Sequence, residues 1–82
     1  EVFMLKIKDN VDLKELEKFG FEENDGEYYY DFIKYTPYES SYLCVDFDRN
    51  ILTGYVVYEH IEKMVDLLFD LIQAGLVEKV GE

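Results

Sequence analysis

Leu43-Cys44-Val45-Asp46-Phe47-Asp48 reads as a strand that ends in two carboxylates two residues apart, oxygen ligands of the kind a divalent ion takes. Extended to Asn50, the same stretch has the Asp-x-Asp-x-Asn opening of a calcium loop. Such a loop needs glycine at its sixth position and glutamate at its twelfth, where this chain has Ile51 and Val57. A divalent-metal hydrolase using Asp46 and Asp48 is therefore one reading. An aspartate-rich turn closing a strand is the simpler one. His60 is the only histidine, and a histidine base needs a nucleophile and an orienting partner. Ser40 and Ser41 have no motif around them, so His60 is expected in the first turn of a helix, facing solvent. Cys44, the only cysteine, has no basic neighbour to lower its pKa and reads as a structural thiol. No nucleophile–base set, metal cluster or phosphate-cradling glycine loop is assembled by these spacings. The expectation is a protein that is not an enzyme, with no catalytic residues, cofactor or metal.

Two other patterns suit binding. Glu62, Asp66 and Asp70 recur at i, i+4 and i+8, which on a helix sets successive Cβ atoms about 5–6 Å apart. On strands, residues two apart, such as Glu27, Tyr29 and Asp31 or Asp46 and Asp48, are roughly 6.6 Å apart. Both spacings approach that of successive phosphates along one nucleic-acid strand, so either surface suits a phosphate mimic. A solvated face is the plain alternative for each. Like charges at i, i+4 cost a few tenths of a kcal/mol each, and the ladder repeats that cost without compensating lysines. Tyr28, Tyr29, Tyr30, Tyr35, Tyr38 and Tyr42 fall within 15 residues. Adjacent strand residues face opposite ways, so at least one of Tyr28, Tyr29 and Tyr30 must leave the core. Exposed tyrosines are favoured anchors at protein interfaces. Stacking on bases is disfavoured where no basic residues stand beside them.

Charge narrows the partners. Eight Lys and Arg against 19 Asp and Glu give a net charge of −11, beyond the roughly 2 to 8 that solubility asks of a small domain. Residues 19–48 carry eight carboxylates and one base, Lys34. Nucleic acid and anionic membranes need a basic footprint, so direct binding to either is not expected. A basic protein surface is the complement. With one cysteine no intramolecular disulfide can form, and a reducing cytoplasm fits. The apolar run at residues 2–5 is far shorter than a signal-peptide core. The stretch 61–74 is interrupted by Glu62, Lys63, Asp66, Asp70 and Gln73, which bars it from a bilayer. Glu1 is not an initiator, and Met4 is the candidate native start.

These side chains need elements to hold them. With 82 residues, 49% of them apolar, the chain can bury roughly 9,000 Å² on folding, enough for one core. A single domain over 1–82 is expected. Residues 2–8 alternate, with Phe3, Leu5 and Ile7 on one face, and read as a strand with an exposed or edge side at Lys6 and Lys8. Asp12 and Glu15 form an Asp-x-x-Glu capping box, with Val11 placed to staple onto Leu16. A short helix then runs to about Phe19, stopped by Gly20, with Phe21 packing back. Asn24-Asp25-Gly26 is the strongest turn signal, and 21–23 can pair across it. Strands are expected over 27–36, ended by Pro37, then over 41–48 with Leu43, Val45 and Phe47 inward, and over 51–58 with a bulge or close contact at Gly54. Residues 59–74 form the clearest helix, with Ile61, Met64, Val65, Leu68 and Ile72 as its apolar stripe, widened by Leu67 and Leu71. Gly75 ends it, Leu76 packs behind the cap, and 77–80 adds an edge strand. The expected fold is α+β: an antiparallel sheet of three to five strands, the C-terminal helix across one face, and a short N-terminal helix.

Two stretches resemble known proteins together. Met4-Leu-Lys-Ile-Lys-Asp-Asn-Val-Asp-Leu-Lys-Glu-Leu-Glu-Lys-Phe-Gly-Phe21 and Leu68-Phe-Asp-Leu-Ile-Gln-Ala-Gly-Leu-Val-Glu-Lys-Val80 are similar to the two ends of short proteins of unknown function. Those are carried by phages and mobile elements of low-GC Gram-positive bacteria. The likeness covers about 30 of 82 residues and carries no catalytic pattern. It implies a setting in which small acidic proteins inhibit host enzymes or defence systems, as anti-CRISPR proteins and DNA mimics do. The Asp46-x-Asp48 strand also looks like that of haloacid-dehalogenase-type phosphatases. That family needs a far longer chain and Thr or Val where this one has Asn50. The expected function is thus an acidic inhibitor or adaptor in the host cytoplasm, docking on a basic, nucleic-acid-binding host protein. Its expected surface is Glu27, Tyr29, Asp31, Tyr35, Asp46 and Asp48, with Glu62, Asp66 and Asp70 as a second face. The alternatives are an accessory protein that oligomerises through a sheet edge, and the metal-dependent hydrolase.

Overall fold

Alternation at the N-terminus builds strand β1, Phe3–Ile7, and buries Ile7 completely. The structure, a computed structural model, describes residues 3–33, 41–53, 56 and 58–81. A 3₁₀ helix, Leu13–Phe19, follows β1. Only half of the capping box forms there. The Lys14 amide donates to Asp12 Oδ1 at 2.9 Å, while Glu15 turns to pair with Lys18 at 2.7 Å. Gly20 adopts φ 95° and donates to the Glu17 carbonyl, and the Phe21 amide donates to that of Leu16. That pair of hydrogen bonds is a Schellman stop, and it draws Phe21 against Leu16 in the core.

Strands β2 (Glu22–Asn24) and β3 (Glu27–Asp31) close a hairpin on Asn24-Asp25-Gly26. Asp25 and Gly26 have φ of 52° and 87°, the paired positive values of a two-residue type I′ turn. Strand β4, Tyr42–Val45, pairs antiparallel with β3 and then with β5, Ile51–Thr53. The order β2-β3-β4-β5 is a four-stranded antiparallel sheet. Strand β6, Val77–Gly81, pairs antiparallel with β1 in a second, two-stranded sheet. A bridge between Lys6 and Asn50 and a bond from the Ile7 amide to the Arg49 carbonyl join the two. Arg49 fastens the same corner. Its Nη1 donates to the Lys8 carbonyl at 2.8 Å and to the Val11 carbonyl at 2.6 Å, so the only arginine is engaged by backbone.

Helix α1, Ile61–Gln73, follows a 3₁₀ turn over Tyr58–His60. It ends as the first helix does: Gly75, at φ 78°, donates to Ile72, and the Leu76 amide donates to Leu71. Leu67 and Leu71 enter one core with Ile7, Leu16, Phe21, Tyr28, Leu43 and Val45. Both helical segments thus cover the sheet face that carries Tyr28, Leu43 and Val45. This is the α+β domain that the alternation and the helical stripe anticipate.

Four expectations are corrected. Phe47 is 68% exposed, not inward, because β4 stops at Val45. Asp46 takes the chain out of the ladder. Its Oδ1 accepts from the Asp48 and Asn50 amides, each at 2.9 Å, and Arg49 at φ 70° completes a three-residue hairpin loop. The helical stripe is rotated. Met64, Leu67, Leu68 and Leu71 meet the core, while Ile61, Val65, Phe69 and Ile72 are 42–56% exposed. His60 does not simply face solvent. It is half-buried and stacks on Phe32, with ring centroids 6.1 Å apart. The β3 strand ends at Asp31, short of 36, and the described part of β5 ends at Thr53. Tyr35, Pro37, Tyr38 and Gly54 lie outside the described residues.

Candidate functional site

Strand periodicity sorts the tyrosines. Tyr28 and Tyr30 point to the core, where Tyr30 meets Phe21 edge-on at 5.7 Å. Tyr29 points the other way, with Glu27 and Asp31 on its own strand. Register brings neighbours to that outer face: Glu22 lies opposite Tyr29, Tyr42 opposite Asp31, and Cys44 opposite Tyr29. The Tyr29 and Tyr42 rings meet edge-on at 5.6 Å. Glu22, Glu23, Asn24, Tyr29, Asp31 and Tyr42 line a shallow basin of about 450 Å³. Tyr29 Oη donates to Glu27 Oε1 at 3.1 Å. That bond, with the Cys44 thiol beside it, pushes the phenol up to about 12. Tyr29 is therefore a neutral hydroxyl at any physiological pH, held in place by a carboxylate.

Cys44 lies beneath this face, 5% exposed. Burial pushes its thiol up, and the Glu27 and Asp46 charges add to this against an opposing hydrogen bond from Tyr29. A thiolate is the reactive form, so Cys44 is built to be inert. At pH 8 its alkylation by iodoacetamide should be roughly 100-fold slower in the native protein than in urea. Equal rates in the two conditions would mean the thiol is open to solvent.

Three of the sheet residues singled out from the sequence, Glu27, Tyr29 and Asp31, thus share one face. Asp46 and Asp48 stand at its end, in the β4–β5 turn. The Asp46 carboxylate is engaged in holding that turn, whereas Asp48 is exposed. The exposed Phe47 between them lies over the β2–β3 turn, where a Cβ on Gly26 would come within 2.7 Å of its ring. Tyr35 lies outside the described residues. Glu27 and Asp31 are four residues apart, roughly 13 Å on a strand, with Tyr29 between. The face alternates carboxylate and phenol rather than presenting an unbroken acidic row. Glu22 and Tyr42 are outside the expected surface set, although Tyr42 belongs to the tyrosine cluster. The hairpin turn was the signal for Glu22, since Asn24 opposite Glu27 sets Glu22 opposite Tyr29. No local signal fixes Tyr42.

The second face is separate. Glu62, Asp66 and Asp70 are all exposed on α1. They lie on the helix layer, where Asp66 and Asp70 share a groove with Tyr30 of the inner sheet face, whereas Tyr29 lies on the outer face. Lys18 and Lys63 line a shallow groove with Asp66 and Asp70, so the ladder has basic company that its spacing concealed. Ser41 Oγ and His60 Nδ1 are buried without hydrogen-bond partners among the described residues. Phe32 joins them: its amide donates to the Ser41 carbonyl and its ring stacks on His60. Among the described residues, no three His, Cys, Asp or Glu side chains are grouped to hold a metal ion. No described helix is long and apolar enough to cross a membrane. Compared with protein families, curated proteins and solved structures, the chain matches none, so the geometry of these faces carries the functional argument.

Proposed function

We propose that the protein is an acidic inhibitor or adaptor that works by binding, and that it docks its outer sheet face on a basic, nucleic-acid-binding protein. The anti-CRISPR-like or other anti-defence setting of a phage is the specific case that the resemblance of its two ends suggests. The observation that carries the reading is the basin where Glu22 and Asp31 flank the Tyr29–Tyr42 pair. Tyrosine rings attract a guanidinium or ammonium over their faces, and carboxylates bond it at the rim. A lysine or arginine side chain is therefore the natural occupant. The net charge of −11 speeds the approach of a basic partner. Replacing Glu27 and Asp31 by lysine tests the reading, since it reverses the face while leaving the core untouched.

The oligomer alternative has less in its favour at the β2 edge, which is three residues long and carries Glu22 and Glu23. The hydrolase alternative must explain how Asp46 serves a metal while its Oδ1 accepts two backbone amides.

A further inference from the structure

Helix α1 leaves half of its apolar surface uncovered. Ile61, Val65, Phe69 and Ile72 are 42%, 53%, 56% and 49% exposed. At 3.6 residues per turn they fall within roughly 80° of one another, in a strip along the whole helix. Glu62, Asp66 and Asp70 occupy the next roughly 80°, on one border only. At the N-terminal end, Tyr58, Glu59, Ile61 and Glu62 line a shallow groove of the same mixed character, with Tyr58 89% exposed.

We propose that this strip docks an amphipathic, basic α-helix of another protein. Its partner carries apolar side chains three and four residues apart, with a row of lysine or arginine along one flank. Charge complementarity selects that occupant. The apolar strip supplies the area to be desolvated, and the one-sided carboxylate row sets the direction in which a basic helix can lie. A second copy of the chain fits poorly. Two α1 helices packed antiparallel about a two-fold axis bring the two Glu62–Asp66–Asp70 rows onto the same flank, like charge against like. An anionic bilayer meets the same repulsion. The strip is on α1, which covers the inner face of the sheet, and the tyrosine basin is on the outer face, so this inference goes beyond the proposed docking of the sheet face and stands without it.

The probe is a fluorescein-labelled 18-residue helical peptide with leucines at this spacing and lysines along one flank, alongside the same peptide with glutamate for lysine. The lysine peptide should bind by fluorescence anisotropy, more weakly as salt rises, and the glutamate peptide should not. Val65→Ser with Phe69→Ser should weaken the lysine peptide about 10-fold or more. Glu62→Gln with Asp66→Asn and Asp70→Asn should also weaken it and flatten its salt dependence. Glu78→Gln, at an exposed carboxylate of β6 outside both faces, should leave it unchanged. All these positions are exposed, and unchanged thermal unfolding confirms that each variant is folded. Equal binding of the lysine peptide to the native and the Val65→Ser, Phe69→Ser proteins would overturn the proposal, leaving only general charge attraction. So would a dimer in sedimentation that those two substitutions dissolve, because the occupant would then be a second copy.

Discussion

Leu71→Ala should destabilise the protein by about 2–5 kcal/mol, whereas Ile72→Ala, one residue on, should cost about 0.5 kcal/mol or less. Leu71 is fully buried among Leu67 and the sheet residues, so truncation removes its transfer energy and leaves a cavity. Ile72 is half exposed on the uncovered strip. The contrast is large for a chain of 82 residues, whose whole stability is expected on the order of 4–12 kcal/mol. In thermal melts, a domain this size moves about 4–8 °C per kcal/mol. Leu71→Ala should therefore lose about 8 °C at the least, and Ile72→Ala should stay close to the native curve. Urea denaturation followed by circular dichroism measures both. Equal losses would mean that α1 is rotated from the position described, and the uncovered strip with it.

Reversing the sheet face should produce the second large effect. Glu27→Lys with Asp31→Lys should slow association with the basic partner about 10-fold at low salt and flatten its salt dependence. Single rim charges are worth only about 0–1 kcal/mol, so the two must be changed together. Glu17→Lys with Glu78→Lys makes the matching control, because it alters net charge equally at exposed positions outside both faces. A partner bound at the tyrosine basin distinguishes the two variants, since short-range pairs survive screening that erases the overall field. If both slow association equally, the charge acts only as a diffuse field and the sheet face has no special place.

The places where sequence reading succeeded share a feature: the determinant is local. Gly20 and Gly75 stop their helices because each needs a positive φ, and the residue after each packs back on the core. Asn24-Asp25-Gly26 closes a two-residue hairpin for the same local reason. Glu27, Tyr29 and Asp31 share a face because strand period is two. Elsewhere a periodic pattern meets a competitor, either a side chain close in sequence or a tertiary contact. Phe47 continues the alternation of Leu43 and Val45, yet the Asp46 carboxylate takes the following amides and ends the strand first. The helical stripe is wide enough to bury along two different lines, and only the docking of Leu67 and Leu71 decides between them. Tyr42 reaches the basin through β3–β4 register, which no residue between the two strands announces. His60 follows Phe32, a neighbour 28 positions away in sequence.

Docking on a basic, nucleic-acid-binding protein is the central claim, and competition tests it most directly. The immobilised protein captures its partner from a lysate of a Gram-positive bacterial host, the partner is identified by mass spectrometry, and the purified complex is challenged with double-stranded DNA. The expected partner is basic, is displaced by DNA in proportion to its concentration, and is not held by the Glu27→Lys, Asp31→Lys protein. A complex that excess DNA leaves intact, or that the doubly reversed protein forms as tightly as the native one, would contradict it.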